Sequence, residues 1–316
     1  MKYLGVDIGG TAVKLGIVDK TGEIISTYSK GVAVDAYETP IIETVKVAID
    51  EFFEKEQVEL ADFLGIGVSA TGQIDYRSGC VIGVGGNIKN WCHTNIKEEL
   101  ELKYGLKTTV LNDANCMIIG EKWLGRAKGY EHVIGITIGT GVGGGILVNG
   151  EILQGTTGIG GELGHFSIDS HGVKCRCGNI GCYENYASMT ALVNKVLEGY
   201  DELDLPVSRD EVNGRVIFEA LEAGNEKVAD MVEEWILMIA KGLVSLVHLF
   251  NPEIIVIGGG VCTQEERFIK PIREYVLSHA MEQFKKELKV ESAMLFNNAG
   301  LVGAVYYHIH HHIHHI

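Results

Sequence analysis

Twice in 316 residues an apolar strand runs into a glycine-rich turn that opens into another strand and not into a helix. Tyr3 to Ile8 leads into Gly9-Gly10-Thr11 and a returning strand at Val13 to Val18, and Glu23 to Ser29 reads as a third strand. His132 to Ile138 leads into Gly139-Thr140-Gly141-Val142-Gly143-Gly144-Gly145 and then Ile146 to Val148. The spacing predicts two similar α/β halves facing one another across a hinged cleft, an architecture suited to a nucleotide on one side and a substrate on the other. A length of 316 residues fits two such domains. Neither turn is a Walker loop or a Rossmann fingerprint, since the ending Gly-Lys-Ser/Thr is missing and a strand follows.

Helical spacing of Ile41, Ile42, Val45, Ile49, Phe52 and Phe53 predicts a helix over Glu38 to Glu56. Strands are expected at Phe63 to Val68, at Lys107 to Leu111 and at Ile254 to Ile257, with helices at Ala114 to Leu124 and Val228 to Phe250. Residues 155 to 184 are rich in Gly and Cys and read as irregular, and Gly300 to Tyr307 reads as a closing helix. The end from His308 onward reads as a purification tag or read-through, with a weakly metal-binding native end as the other reading.

Main-chain N–H groups in glycine turns can approach phosphate oxygens closely. Gly9, Gly10, Thr11, Thr140, Gly141 and Gly143 are therefore candidate nucleotide-binding residues, and Asp7 is placed to hold Mg²⁺ directly or through water. Gly258-Gly259-Gly260 ends a third strand, where an adenosine can lie against backbone. Asn112-Asp113 closes a strand and opens a helix. Asp113 suits a general base that takes the proton of an attacking hydroxyl, but the residues alone leave a helix N-cap equally open.

His165, Cys175, Cys177 and Cys182 form a Cys₃His set, which in tetrahedral coordination makes a closed, structural zinc site. A disulfide would leave one of the three thiols over. Cys80, Cys92, Cys116 and Cys262 are scattered and read as small apolar residues. Glu162 and Glu184 bracket the metal loop, and carboxylates of this kind accept hydrogen bonds from a polyol.

Taken together, Asp7-Ile-Gly-Gly-Thr11 with Lys14, Asn112-Asp113-Ala-Asn115, the turn at Gly139, Glu162-x-Gly-His165 and the cysteine block resemble the ROK family of bacterial sugar kinases and related repressors. The resemblance implies an actin-like/hexokinase ATPase fold, with a small N-terminal α/β domain over residues 1–112 rejoined by a helix at about 300–307. A larger α/β domain over 113–299 would carry the zinc loop, with 308–316 as the tail. It further implies Asp113 as base, and sugar contacts from Asn87, Asn112, Asp113, Glu162, His165 and Glu184. His165 would serve both zinc and sugar, and Lys14 would join the nucleotide site. Ser69-Ala-Thr-Gly72 departs from the family's frequent Pro-Gly, in a segment that bears on which hexose is taken. The small residues Ser69, Ala70 and Gly72 would make room for an acetyl group.

The expectation is an ATP-dependent, magnesium-requiring hexose kinase acting on the 6-hydroxyl, with glucose first and N-acetylmannosamine as alternative. A non-catalytic sugar sensor is the rival from another class, and a zinc hydrolase is disfavoured because a closed site holds no water. Repressor members carry a DNA-binding segment before the first strand, for which a strand at Tyr3 leaves no room. A net charge of −15 disfavours nucleic acid and anionic membranes as partners. With no leader pattern and no apolar run of about 20 residues, the expectation is a cytoplasmic protein, and the resemblance implies a homodimer.

Overall fold

The computed structural model describes residues 2–32, 35–83 and 88–311; Asn87 and the tail beyond His311 lie outside the described residues. Strands β1 (Lys2–Ile8), β2 (Ala12–Asp19) and β3 (Ile24–Gly31) form an antiparallel meander. Helix α1 (Ile41–Glu56) crosses to β4 (Phe63–Ala70), which pairs parallel to β1. A short hairpin, β5 (Gln73–Asp75) and β6 (Cys80–Gly83), precedes α2 (Ile96–Tyr104) and β7 (Thr108–Asn112). The sheet order is β3-β2-β1-β4-β7. Its chemistry follows burial. Central β1 buries Leu4, Val6 and Ile8, whereas edge strand β3 alternates half-buried and exposed residues with the two-residue period of a pleat.

Helix α1 begins at Ile41 and not at Glu38 as expected. Ala36 and Tyr37 have left-handed φ angles of 55° and 64°, and Pro40 sits at the N-cap, so no turn of α-helix precedes it. One face of α1 buries Ile41, Val45, Ile49 and Phe52 completely, each worth about 1.5–3 kcal/mol relative to exposure.

Helix α3 (Asp113–Leu124) leads to β8 (Val133–Ile138), β9 (Val142–Val148) and β10 (Glu151–Ile152). Strand β9 already begins at Val142, so Gly143 to Gly145 are strand residues and the turn proper is Gly139 to Gly141. After the irregular stretch come α4 (Glu184–Ala187), α5 (Met189–Glu198), α6 (Gly214–Glu222) and α7 (Glu226–Phe250). Asn225 caps α7 by accepting from the Val228 N–H, and Asn251 ends it in left-handed backbone at φ 46°. Strand β11 (Ile254–Gly258), α8 (Lys270–His279), α9 (Glu282–Lys285), β12 (Lys289–Ser292) and α10 (Ala299–His311) complete the described chain.

The second sheet has the order β10-β9-β8-β11-β12, with β8, β11 and β12 parallel. Counting strands within each half, leaving aside the β5–β6 hairpin, both sheets run third, second, first, fourth, fifth. The expected duplication is therefore present in the topology. Among the described residues no helix is long and apolar enough to cross a membrane.

Contacts divide the described chain into two units. The first comprises the residues up to Gly129, Gly145–Gly161 and those from Met294 on; the second comprises Tyr130–Gly144 and Glu162–Ala293. Helix α3 thus groups with the first unit, whereas the sequence reading opened the second domain at Asp113. Helix α10 lies on the first sheet where Gly65 and Gly67 leave the backbone bare: a Cβ on either would collide with His308 or with the Ala304 main chain. It also runs past Tyr307 to His311, correcting the expected boundary of the tail. His308 is 3% exposed, its Nδ1 is 3.2 Å from Thr109 Oγ1, and its ring meets Tyr3 edge-on. The first residue of the histidine-rich end is therefore core.

Candidate active site

In the first unit the register of the sheet sets Asp7 beside Lys14 on β2 and Ser69 on β4. The Ser69 hydroxyl donates to Asp7 Oδ1 at 2.6 Å. Burial pushes the Asp7 carboxyl above the usual carboxylate range, against the opposing pull of the Ser69 hydrogen bond and the Lys14 charge. The Gly9 N–H donates to the Ala12 carbonyl at 2.9 Å, and the Tyr37 hydroxyl to the Gly10 carbonyl at 2.6 Å, leaving Thr11 exposed at the tip. Gly9 and Gly10 are outside the left-handed region, so their backbone conformation does not demand glycine.

Asn112 is the N-cap residue, and Asp113 Oδ1 shares the Ala114 N–H with it at 2.8 Å. Asn112 Oδ1 accepts from the N–H groups of Ala114 and Asn115 at 2.9 and 3.2 Å. Its Nδ2 donates to the Gly72 carbonyl at 2.9 Å and to Asp113 Oδ1 at 3.0 Å. Asp113, the first residue of α3, is thereby oriented by its neighbour at the positive end of a helix dipole. Ser69 and Ala70 are fully buried in β4, and Trp91 Nε1 donates to the Thr71 carbonyl at 2.9 Å. These two small side chains pack inside the sheet, while Gly72, the third small residue of the segment, is half-buried.

In the second unit Gly139 N–H donates to the Gly141 carbonyl at 3.0 Å. The turn is tied to the start of α5, because Met189 N–H donates to the Gly139 carbonyl and Thr190 Oγ1 to the Thr140 carbonyl, at 2.8 and 2.6 Å. Glu184 Oε2 accepts from the Val142 N–H at 3.1 Å, so one of the expected sugar-binding carboxylates rests on this turn. Gly259 has φ 112°, and a Cβ there would strike the Ile138 carbonyl oxygen. At Gly139 and Gly260 an added Cβ would meet nothing within 4 Å. Packing does not demand glycine at those two positions.

The metal loop gathers as expected. One donor atom from each of His165, Cys175, Cys177 and Cys182 lies within 4.8 Å of all the others. Cys177 and Cys182 sulfurs are 3.5 Å apart, and Cys175 Sγ is 3.7 Å from His165 Nδ1. Four ligands at the tetrahedral corners of a zinc ion would be separated by about 3.4–3.8 Å, so both spacings and donor set fit that metal. Left-handed glycines fold the knuckle: Gly178 at φ 96° and Gly181 at φ 69°, where a Cβ would strike the Asp169 backbone. Burial pushes the Cys182 thiol up to about 12, while hydrogen bonds led by the Asn179 N–H lower Cys177. Tyr183 anchors the loop, buried against Gly242 with its hydroxyl donating to the Ile239 carbonyl at 2.6 Å. Glu162 is exposed at the head of the turn Leu163–His165.

The profile of the ROK family matches residues 3–310. A glucokinase of Thermotoga maritima is 33% identical over 311 residues, covering 96% of this chain and 96% of its own length. A β-glucoside kinase of Listeria monocytogenes is 36% identical over 309 residues, with 97% of both chains covered. This chain belongs to the ROK family. A solved ROK family glucokinase from Streptomyces griseus, in complex with glucose and AMPPNP, superposes with a TM-score of 0.83 at 33% identity, over 96% of this chain and 98% of that one. The fold of this ROK protein is accordingly the actin-like ATPase fold. Sequence reasoning missed the Ser69–Asp7 pair and the Tyr183 anchor, which have no local signal; the helix N-cap that it left open at Asn112-Asp113 is present at Asn112.

Proposed function

We propose that this ROK protein transfers the γ-phosphoryl group of ATP to the 6-hydroxyl of a hexose, with glucose the preferred acceptor. The observation that carries the reading is the Asn112–Asp113 pair: Asn112 takes the N-cap position, and the adjacent carboxylate is held at the helix N-terminus through one oxygen, Oδ1, by the Asn112 amide and the Ala114 N–H. Asp113 is the general base, accepting the hydroxyl proton as phosphorus–oxygen bond formation proceeds. Asp7 is the magnesium-side carboxylate. A hard cation with one carboxylate, waters and nucleotide phosphates suits the Asp7 environment of Ser69 and Lys14. Magnesium, when bound, neutralises charge on the phosphates. The backbone of Gly9, Gly10, Thr11, Thr140, Gly141, Gly143 and Gly258 to Gly260 cradles the nucleotide. Asn112, Asp113, Glu162, His165 and Glu184 take the sugar hydroxyls, together with Asn87.

Zinc is structural in this reading. Cys175, Cys177, Cys182 and His165 Nδ1 hold it, and the second ring nitrogen of His165 remains for the sugar. Burial of Ser69 and Ala70 favours glucose over N-acetylmannosamine. We further read the protein as a cytoplasmic homodimer without nucleic-acid or membrane partners, on its net charge of −15 and the family resemblance. Product identification by phosphorus NMR after incubation with Mg-ATP and glucose tests the reading. Glucose 6-phosphate is the expected product; ADP and inorganic phosphate without a sugar phosphate would refute it.

A further inference from the structure

Among the described residues Glu121 is the one carboxylate side chain with no exposure at all. It lies near the C-terminal end of α3, where the helix dipole is unfavourable to an acid, and burying a charge adds to that cost. What it holds must offset both. Glu121 Oε2 accepts from the Arg126 N–H at 2.8 Å, and Oε1 accepts from the Met294 and Leu295 N–H groups at 2.8 and 2.7 Å. Met294 and Leu295 start the segment that enters α10 through Phe296, a non-glycine residue at φ 46°. Such backbone persists only where its surroundings hold it. Two residues past that turn's end comes Gly300, in the first turn of α10. A Cβ there would be 2.9 Å from Asp7 Oδ1 and 3.1 Å from Ser69 Oγ, so the helix start lies directly against the Asp7 carboxylate.

We infer that Glu121 is a positioning residue: by holding Met294 and Leu295 it seats the first turn of α10 against Asp7 and so sets that carboxylate for the divalent cation of the nucleotide. The inference rests on the reading of Asp7 as the magnesium-side ligand. Every link lies within the first unit, and none touches sugar or phosphate. Glu121→Gln replaces one acceptor oxygen with an N–H₂ donor aimed at backbone donors. Gly300→Ala leaves Glu121 intact and presses on Asp7.

The test is Mn²⁺ binding followed by electron paramagnetic resonance on the ADP complex of the full chain, with metal-free ADP binding and the glucose KM as controls. Both variants should weaken Mn²⁺ about tenfold, the usual scale for groups that orient a metal ligand, with both controls within about twofold. Unshifted Mn²⁺ affinity in either folded variant overturns the inference, as does an equal loss of metal-free ADP binding, which marks a merely structural residue. Should Glu121→Gln not fold, Gly300→Ala alone decides in the same terms. Asp7→Asn separates the two failures. If it leaves Mn²⁺ affinity unchanged, the reading of Asp7 falls and takes this inference with it; if it weakens Mn²⁺ while the other two do not, only the inference falls.

Discussion

The two sheets share a strand order but not a way of holding polar groups. In the first, Asp7 on β1 faces Ser69 on parallel β4; at the corresponding place in the second, Thr137 on β8 pairs with Gly258 on β11. The first sheet holds its acid by its own strands, and its other candidate acid by Asn112 at the end of β7. The second has no carboxylate at that strand end and takes Glu184 from the loop that follows the cysteine cluster. Duplicated backbone supplies the glycine turns, whereas chemistry is placed by sheet register in one half and by a folded loop in the other. Damage to the loop should therefore strike sugar binding and spare the first half.

The largest effect should come from Asp113, the proposed base. Asp113→Asn should lower kcat by at least ~10²–10⁴-fold, with sugar affinity and melting temperature retained, because Asn112 carries the helix cap. Steady-state ADP release measures it, and near-normal turnover would return Asp113 to a structural role. Next comes the loop. Protein ending at His311 should carry one zinc per chain; Cys177→Ser should release it and raise the glucose KM about tenfold, with the Mg-ATP KM nearly unchanged. Metal analysis and paired titrations check this, and an equal rise in both constants breaks the division between the halves.

A smaller effect concerns Asp7. Its carboxyl is raised above the ordinary range in the fold, so the ionised form is penalised there. That penalty is complete above the folded value and vanishes below the unfolded one, near 3.9. In metal-free protein Asp7→Asn should thus raise the melting temperature at neutral pH by a few degrees, with the gain shrinking as the pH falls toward 4. A gain that grows on acidification contradicts the burial argument. The smallest effect belongs to Gly260→Ala: stability within about 0.5 kcal/mol, with a several-fold rise in the Mg-ATP KM and none in that for glucose. Thermal melts and kinetics read the two parts separately.

Local pattern made much of this legible. Strand alternation, the α7 periodicity and the compact cysteine spacing are short-range signals, and each element appeared within a few residues of its expected place. What stayed hidden depends on distant pairs. Ser69 and Asp7 are 62 positions apart, and Glu121 meets Met294 across 173. The histidines at 308–311 misled for the same reason: composition marks a tail, while burial of His308 against Thr109 is set by tertiary packing. Helix α2, the β5–β6 hairpin and β12 went unassigned, being short and weakly patterned.

The most direct test of the central claim is sugar-dependent ADP release by the unmodified protein with excess Mg-ATP, ranked by kcat/KM over glucose, N-acetylmannosamine, mannose and allose. Glucose should rank first, with release absent when sugar is omitted. Sugar binding without ADP release would contradict the kinase reading and make the protein a sensor, and N-acetylmannosamine in first place would contradict the choice of glucose.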